Sequence, residues 1–134
     1  MTEASVWQEC WQQLRNTFAS VADELRRCNP ELWSQVGHRT GDVYPFEAWV
    51  ELLRVKDPSR EVDITVFFAV ERAGDTLTCR IDISTGEGLV LVDGPTRVVT
   101  VDDAGAWQDE VLAYAAGAEQ FLRENHHILR DALC

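Results

Sequence analysis

Hydrophobic residues recur at helical spacing along the first part of the chain. They follow one another at alternating spacings of four and three, at Trp7, Trp11, Leu14, Phe18, Val21, Leu25 and Cys28. Such a stripe is typical of an amphipathic helix with one side packed on a core. Ser5 and Gln8 fit a capping box, and Asn29-Pro30 ends a helix because proline cannot continue it. We therefore predict a helix from residue 5 to 28 that packs on a sheet.

A second helical pattern follows Asp102-Asp103 and continues to about residue 132. Its acidic residues lie early and its basic residues lie late, which suits the helix dipole. The apolar residues expected on one side are Trp107, Val111, Tyr114, Ala118, Phe121 and Ile128. The pattern predicts one long C-terminal helix.

Between the two helices the hydrophobic period changes to two, which is typical of β-strands. A two-residue turn at Gly74-Asp75 would place apolar residues opposite one another on one face of a hairpin. The opposed pairs are Val70 with Cys79, Phe68 with Ile81, and Val66 with Ile83. The other face is mostly polar, so the register is consistent with a half-buried sheet.

The strand before this hairpin would be joined to it by a four-residue loop at Asp57-Pro58-Ser59-Arg60. That loop length places the Glu51 carboxylate on the core face of the sheet. The pairs in this register are Val55 with Val62, Leu53 with Ile64, Glu51 with Val66, and Trp49 with Phe68.

The second face of the sheet then carries an apolar patch of Val50, Leu52 and Phe67. A loop of odd length would reverse the strand, burying Val50 and Leu52 and exposing Trp49 and Leu53. Either register leaves apolar side chains on the second face. Because aromatic residues dominate binding hot spots, we predict a partner-binding surface at Trp49, Val50, Leu52 and Phe67.

Two further strands are predicted at Gly88 to Val92 and Arg97 to Val101, turned at Asp93-Gly94-Pro95-Thr96. A short strand at Trp33 to His38 would form an edge of the sheet. The predicted fold is α+β: an antiparallel meander of about five strands, flanked by N-terminal and long C-terminal helices packed on one face. Residues 1–134 are expected to form a single domain.

The charge balance limits the classes of partner that we expect this protein to bind. The chain has 23 acidic and 12 basic residues and a formal net charge of -11. Nucleic acids and anionic membranes are bound through clustered Lys and Arg, so neither is an expected partner. The same negative field favours encounter with a basic protein.

The composition and the start of the chain suggest an origin and a compartment. Lys56 is the only lysine, and the abundance of Ala, Val, Gly, Asp and Arg suggests a high-GC bacterial genome. Met1-Thr2-Glu3-Ala4 lacks the basic segment and apolar run of a signal peptide, so we expect a cytoplasmic protein. We expect the four cysteines to be free, reduced thiols. Their spacing fits no zinc site, and Cys10 and Cys28 on one helix are too far apart to form a disulfide.

Glu51 is the one candidate for catalysis, because a carboxylate in an apolar setting can act as a general acid or base. No phosphate-binding, nucleophile or metalloprotease motif occurs in the sequence. His126 and His127 are adjacent, so on a helix they point about 100° apart and cannot bind one metal together. We expect neither a cofactor nor a metal.

These patterns favour a non-enzymatic protein that masks one cognate partner, as an immunity protein or a secretion chaperone does. The alternative is a small-molecule binder or enzyme with a cavity between the sheet and the C-terminal helix, lined by Glu51, Trp49 and Tyr114. A homodimer joined through the second sheet face is a third hypothesis.

Overall fold

The computed structural model describes residues 2–55 and 62–134, and over these residues one helix is followed by a sheet and three short helices. In chain order the elements are α1 (Glu3–Cys28), β1 (Trp33–Arg39), β2 (Phe46–Leu53), β3 (Ile64–Ala73), β4 (Thr76–Thr85), β5 (Val90–Asp93), β6 (Arg97–Thr100), α2 (Ala106–Ala116), α3 (Ala118–Glu124) and α4 (His126–Leu133). The predicted α+β class and the antiparallel strand order β1-β2-β3-β4-β5 are confirmed. The predicted loop Asp57-Pro58-Ser59-Arg60 lies outside the described residues.

Helix α1 begins earlier than predicted. The Ser5 backbone N–H donates to the Thr2 hydroxyl oxygen at 3.2 Å, so Thr2 is the cap and the predicted capping box of Ser5 and Gln8 was wrong. The predicted end is confirmed: the helix stops at Cys28, and the Asn29 N–H caps it by donating a hydrogen bond to the Leu25 carbonyl oxygen. Most of the predicted stripe is buried, with Trp11 half-buried and Cys28 exposed.

The central hairpin has the predicted register. Val70 faces Cys79, Phe68 faces Ile81 and Val66 faces Ile83, with Gly74-Asp75 as a two-residue turn. Gly74 has φ +64°, a left-handed conformation that glycine adopts without a steric penalty. The predicted edge strand is also confirmed as β1, which pairs with β2.

The register first predicted for β2 was wrong, and the alternative one is found, except that Leu53, which the alternative was expected to expose, is buried. Leu52 faces Ile64 and Val50 faces Val66, so both β2 residues are fully buried on the core face. The one-residue shift moves Glu51 to the opposite face, where it lies across from Thr65. Burial of two apolar side chains instead of a carboxylate explains why this register is the stable one.

Strands β5 and β6 do not form the predicted hairpin. Both pair with β4 and run in the same direction, β5 beside Asp82 to Ser84 and β6 beside Thr76 to Cys79. They are two pieces of one interrupted edge strand, joined where the Gly94 N–H donates to the Ile81 carbonyl oxygen at 2.8 Å. Any Cβ at Gly94 would approach Ile81 Cγ2 to 2.6 Å, so this junction requires glycine.

The C-terminal helical segment is interrupted twice, rather than forming one long helix. It breaks at Gly117, whose N–H is shared between two carbonyl oxygens, and again at Asn125. The Asn125 side-chain amide donates to the Phe121 carbonyl oxygen at 2.8 Å, which competes with the backbone hydrogen bonding of a continuous helix. The break rotates the apolar stripe, so Leu129 is fully buried and Ile128 only partly.

The helices pack on one face of the sheet, which we call the core face. Aromatic contacts join the layers: Trp7 stacks on Phe46 with ring centroids 6.1 Å apart, and Tyr114 lies 5.6 Å from Phe68. Trp11 stacks on His38 of β1 at 4.1 Å. All these strand residues belong to the core face, and no helix ring contact among the described residues reaches the opposite face, which we call the open face.

Cys28 and Cys134 form a disulfide with their Cα atoms 5.6 Å apart, so the expectation of free thiols was wrong for this pair. The nearby Asn29 side chain donates to the Arg54 and Leu133 carbonyl oxygens, each at 2.9 Å. The end of α1 and the end of the chain are therefore joined covalently and by hydrogen bonds.

Candidate partner-binding face

Trp49 lies at the centre of an aromatic and charged cluster on the open face. Its ring stacks on Phe67 of β3 with centroids 6.4 Å apart and an interplanar angle of 16°. On the other side the indole extends over Gly37 of β1, where an added Cβ would come within 2.6 Å of it. The lack of a side chain at Gly37 therefore lets the half-buried indole lie flat across two strands.

Arg39 and Glu47 hold the remaining side of the indole. The guanidinium carbon of Arg39 is 5.5 Å from the Trp49 ring centroid, a cation–π distance. Two hydrogen bonds, 2.6 and 3.2 Å long, join Arg39 to the two carboxylate oxygens of Glu47, which is only 6% exposed. The hydrogen bond and charge of Glu47 raise the pKa of Arg39, so the guanidinium stays charged. This cluster, Gly37, Arg39, Glu47, Trp49 and Phe67, is preorganised and is called the Trp49 cluster below.

The open face is acidic around this cluster. Its strands carry Glu47, Glu51, Glu71, Asp82 and Asp93, against Arg39 and Arg80. Both arginines are already paired, Arg39 with Glu47 and Arg80 with Glu71 at 3.2 Å. Glu51, Asp82 and Asp93 are left without an ion pair among the described residues, so the field of this face is negative.

Asp82 and Asp93 lie directly opposite each other on β4 and β5. Partial burial raises the pKa of the Asp82 carboxyl, and the Asp93 carboxylate raises it further, while a hydrogen bond from the Ser84 hydroxyl at 3.1 Å lowers it. Two like charges in cross-strand positions destabilise the sheet. A cation from a partner would relieve this repulsion.

Replacing Asp82 by asparagine is expected to stabilise the fold at pH 7 by about 0.5 kcal/mol, because it removes the repulsion between the Asp82 and Asp93 carboxylates. The gain is small because solvent screens the half-exposed Asp82 side chain. A carboxyl whose pKa is higher in the folded chain than in the unfolded chain lowers the free energy of unfolding when it is ionised. The gain should therefore shrink as the pH falls and vanish below its ordinary pKa of 3.8, where folded and unfolded chains are both protonated. Chemical denaturation of D82N and of the exposed control D42N across this pH range tests it. Equal gains for both variants, or a D82N gain that persists at pH 3, would contradict the assignment.

The structure divides the four predicted partner-binding residues between the two faces. Trp49 and Phe67 lie on the open face and stack on each other. Val50 and Leu52 lie on the core face and are fully buried, so their predicted placement on the second face was wrong, because the β2 register differs by one residue. The structure adds Glu47 and Arg39 to the candidate site, and neither of them was predicted.

Glu51 is not on the core face as first predicted; it is half-buried on the open face between Gln35 and Thr65. Tyr114 lies on the other side of the sheet, where it donates a hydrogen bond to the Pro95 carbonyl oxygen. Glu51 and Trp49 therefore cannot line a cavity together with Tyr114. The hollow beside Tyr114, between the edge strand and helices α2 and α3, measures about 230 Å³, below the usual range of ligand pockets.

Three comparisons with known proteins, against family models, curated sequences and solved structures, find no match for this chain. Within residues 2–55 and 62–134 no group of three or more His, Cys, Asp or Glu residues could hold a metal ion. None of the helices described is long and apolar enough to cross a membrane.

Proposed function

We propose that this protein binds and masks one cognate protein through the open face of its sheet, without catalysis. The observation that carries the proposal is the Trp49 cluster, a flat indole held by Phe67, Gly37 and the Arg39–Glu47 pair on a face that no helix ring contacts within residues 2–55 and 62–134. Tryptophan and arginine are the residues most enriched at binding hot spots. A rigid anchor loses little conformational entropy when a partner binds, which favours affinity.

The charge of the open face supports a basic partner. Glu51, Asp82 and Asp93 have no ion pair among the described residues, and the whole chain carries a net charge of -11. Complementary charge accelerates encounter and rejects acidic proteins. A homodimer through the same face would bring these carboxylates against their copies, so charge disfavours it. The activity we propose, masking of one cognate protein, is that of an immunity protein or a secretion chaperone.

Replacing Trp49 by alanine is expected to weaken partner binding about 30-fold, corresponding to a hot spot of about 2 kcal/mol. The measurement is affinity capture of the partner from lysate of the source organism, followed by titration of the purified partner at low and at about 0.5 M salt. Binding should weaken at the higher salt, because the unpaired carboxylates contribute to it.

A matched control is Trp11→Ala, which removes another half-buried tryptophan stacked on a ring, but on the helical side of the molecule. It should leave binding unchanged. Equal loss in the W49A and W11A variants would indicate general destabilisation, and partner binding that survives W49A unchanged would overturn the proposed face. A symmetric dimer lost in W49A would identify a second copy as the occupant instead.

A further inference from the structure

The outer edge of the sheet carries a concentration of exposed apolar side chains. Leu89 and Val98 are 66% and 63% exposed, and Val90 and Leu91 are also exposed. These four residues, which we call the apolar edge, lie on or next to β5 and β6, the last strand pieces of the sheet. Scattered single apolar residues are normal on protein surfaces, whereas an apolar run on an edge strand is a site where another strand can add.

The backbone of this edge is available on its outer side. Strands β5 and β6 pair with β4, and no further strand among the described residues pairs with either. An edge strand directs alternate N–H and C=O groups outward, where they can bond to an added strand. Many edge strands are protected by lysines, inward-pointing charges, prolines or bulges; the run Val90-Leu91-Val92 of β5 has no charge and no proline, and its one irregularity is the register shift that leaves Leu91 between the paired Val90 and Val92.

The charges around the apolar edge decide between a second copy and a different partner. Glu87 precedes the run and Asp93 ends it, and neither has an ion pair among the described residues. If two copies paired antiparallel about Val90, Asp93 of one copy would lie opposite Glu87 of the other. Self-pairing therefore opposes like charges at both ends, in addition to the net charge of -11 on each chain.

We propose that the apolar edge binds one extended segment of a partner protein as an additional antiparallel strand, with apolar residues at its centre and Arg or Lys at its ends. The central residues of that segment pack beside Val90 on the open face, one basic end neutralises Glu87, and the other neutralises the Asp82 and Asp93 pair. Main-chain hydrogen bonds supply affinity in this mode of recognition, and side-chain pairs supply specificity. The inference names how the partner of the proposed function is held, so it rests on that function for its physiological meaning.

A synthetic peptide tests the edge without knowledge of the natural partner. The probe is a nine-residue peptide of alternating valine and threonine with two arginines at each end, titrated into the ¹⁵N-labelled protein. We expect saturable binding, shifts of the backbone amides of residues 89–93, and slower hydrogen exchange there. The same peptide with every backbone amide nitrogen methylated keeps its charge and side chains but has no N–H group to donate along either edge, and it should bind at least 10-fold more weakly.

A variant and its control locate the site on the protein. Leu89→Lys with Val90→Lys should weaken peptide binding at least 10-fold, through charge repulsion and loss of apolar contact. Val36→Lys with Val43→Lys changes two other exposed valines, 38% and 60% exposed, away from this edge and should change binding less than 2-fold. Equal binding of the methylated peptide, shifts centred on Trp49 instead of residues 89–93, or no binding at all would each overturn the inference.

The same experiment separates this inference from the proposed function. If peptide binding fails while Trp49-dependent capture of a partner persists, strand addition is wrong and the open face stands. If the peptide binds at the edge but W49A has no effect on any partner, the proposed face falls and the edge remains. Edge-dependent dimerisation of the protein alone would overturn the choice of a basic segment as the occupant.

Discussion

Replacing Phe68 by alanine is expected to cost about 3–5 kcal/mol of stability, whereas the same change at its neighbour Phe67 should cost only about 1 kcal/mol. Phe68 is fully buried on the core face, with its ring near Phe46 at 5.9 Å and Tyr114 at 5.6 Å. Its truncation removes contacts to both layers and leaves a cavity. Phe67 loses only its stacking on Trp49 and some partly exposed area.

The measurement is equilibrium unfolding in urea, monitored by tryptophan fluorescence and circular dichroism, for both single variants. Because the two residues are adjacent on one strand, the ratio of their effects reports directly which face each occupies. A larger loss for F67A than for F68A would show that the β3 register is wrong. F67A should in addition weaken partner binding, while a folded F68A protein should retain it.

Removing the Cys28–Cys134 disulfide is the second large effect expected. The bond spans a sequence separation of 106 residues, and closing a loop of that size stabilises a fold by about 4.7 kcal/mol in the chain-entropy model. We expect reduction, or the variant Cys134→Ser, to lower the melting temperature by roughly 10 °C or more. The reductant should have no further effect on C134S.

Thiol titration provides the chemical control for this prediction. Burial raises the pKa of Cys10 to about 12 and of Cys79 to about 11, so both should react slowly with thiol reagents in the folded protein. The oxidised protein should show no fast thiol, and the reduced protein should show two. Two fast thiols in protein purified under non-reducing conditions would contradict the disulfide. Because disulfides persist mainly in oxidising compartments, the same titration in fresh extract also tests the expectation of a cytoplasmic protein.

Local patterns in the sequence predicted the elements that depend on local chemistry. The α1 stripe fixed one helix and its end, because Asn29 followed by Pro30 cannot continue it. The Gly74-Asp75 turn determined the β3–β4 register, since a two-residue turn leaves no freedom in the pairing. In both places a short segment of the sequence determines the local structure: the end of α1 in the first and the pairing of β3 with β4 in the second.

Features that depend on loops or on distant contacts were predicted less well. The β2 register depended on an assumed loop length, and the burial of Val50 and Leu52 decided it instead. The segment Asp93 to Thr96 looked like a turn because of Gly94 and Pro95, yet the ladder to β4 continues through Gly94. Turn-forming residues also occur at bulges, and sequence alone does not separate the two.

The candidate site was predicted in part. Trp49 and Phe67 were identified from their aromatic character, and both belong to the Trp49 cluster. Glu47 and Arg39 were missed, although a β1–β2 hairpin centred on Val43 places them opposite each other. The Cys28–Cys134 pair was missed because helix geometry excluded only Cys10 with Cys28, and nothing local brings the last residue beside the end of α1.

The disulfide also closes a covalent ring within residues 1–134. Residues 28 to 134 form the closed loop, and α1 before Cys28 extends from it. A protease that cuts once anywhere inside the loop adds one water to the mass but releases no fragment. Such nicks would be invisible on a non-reducing gel and would appear only after reduction. Limited proteolysis therefore has to be compared under both conditions, and a fragment of residues 28–134 that is lost without reduction requires two cuts within the ring.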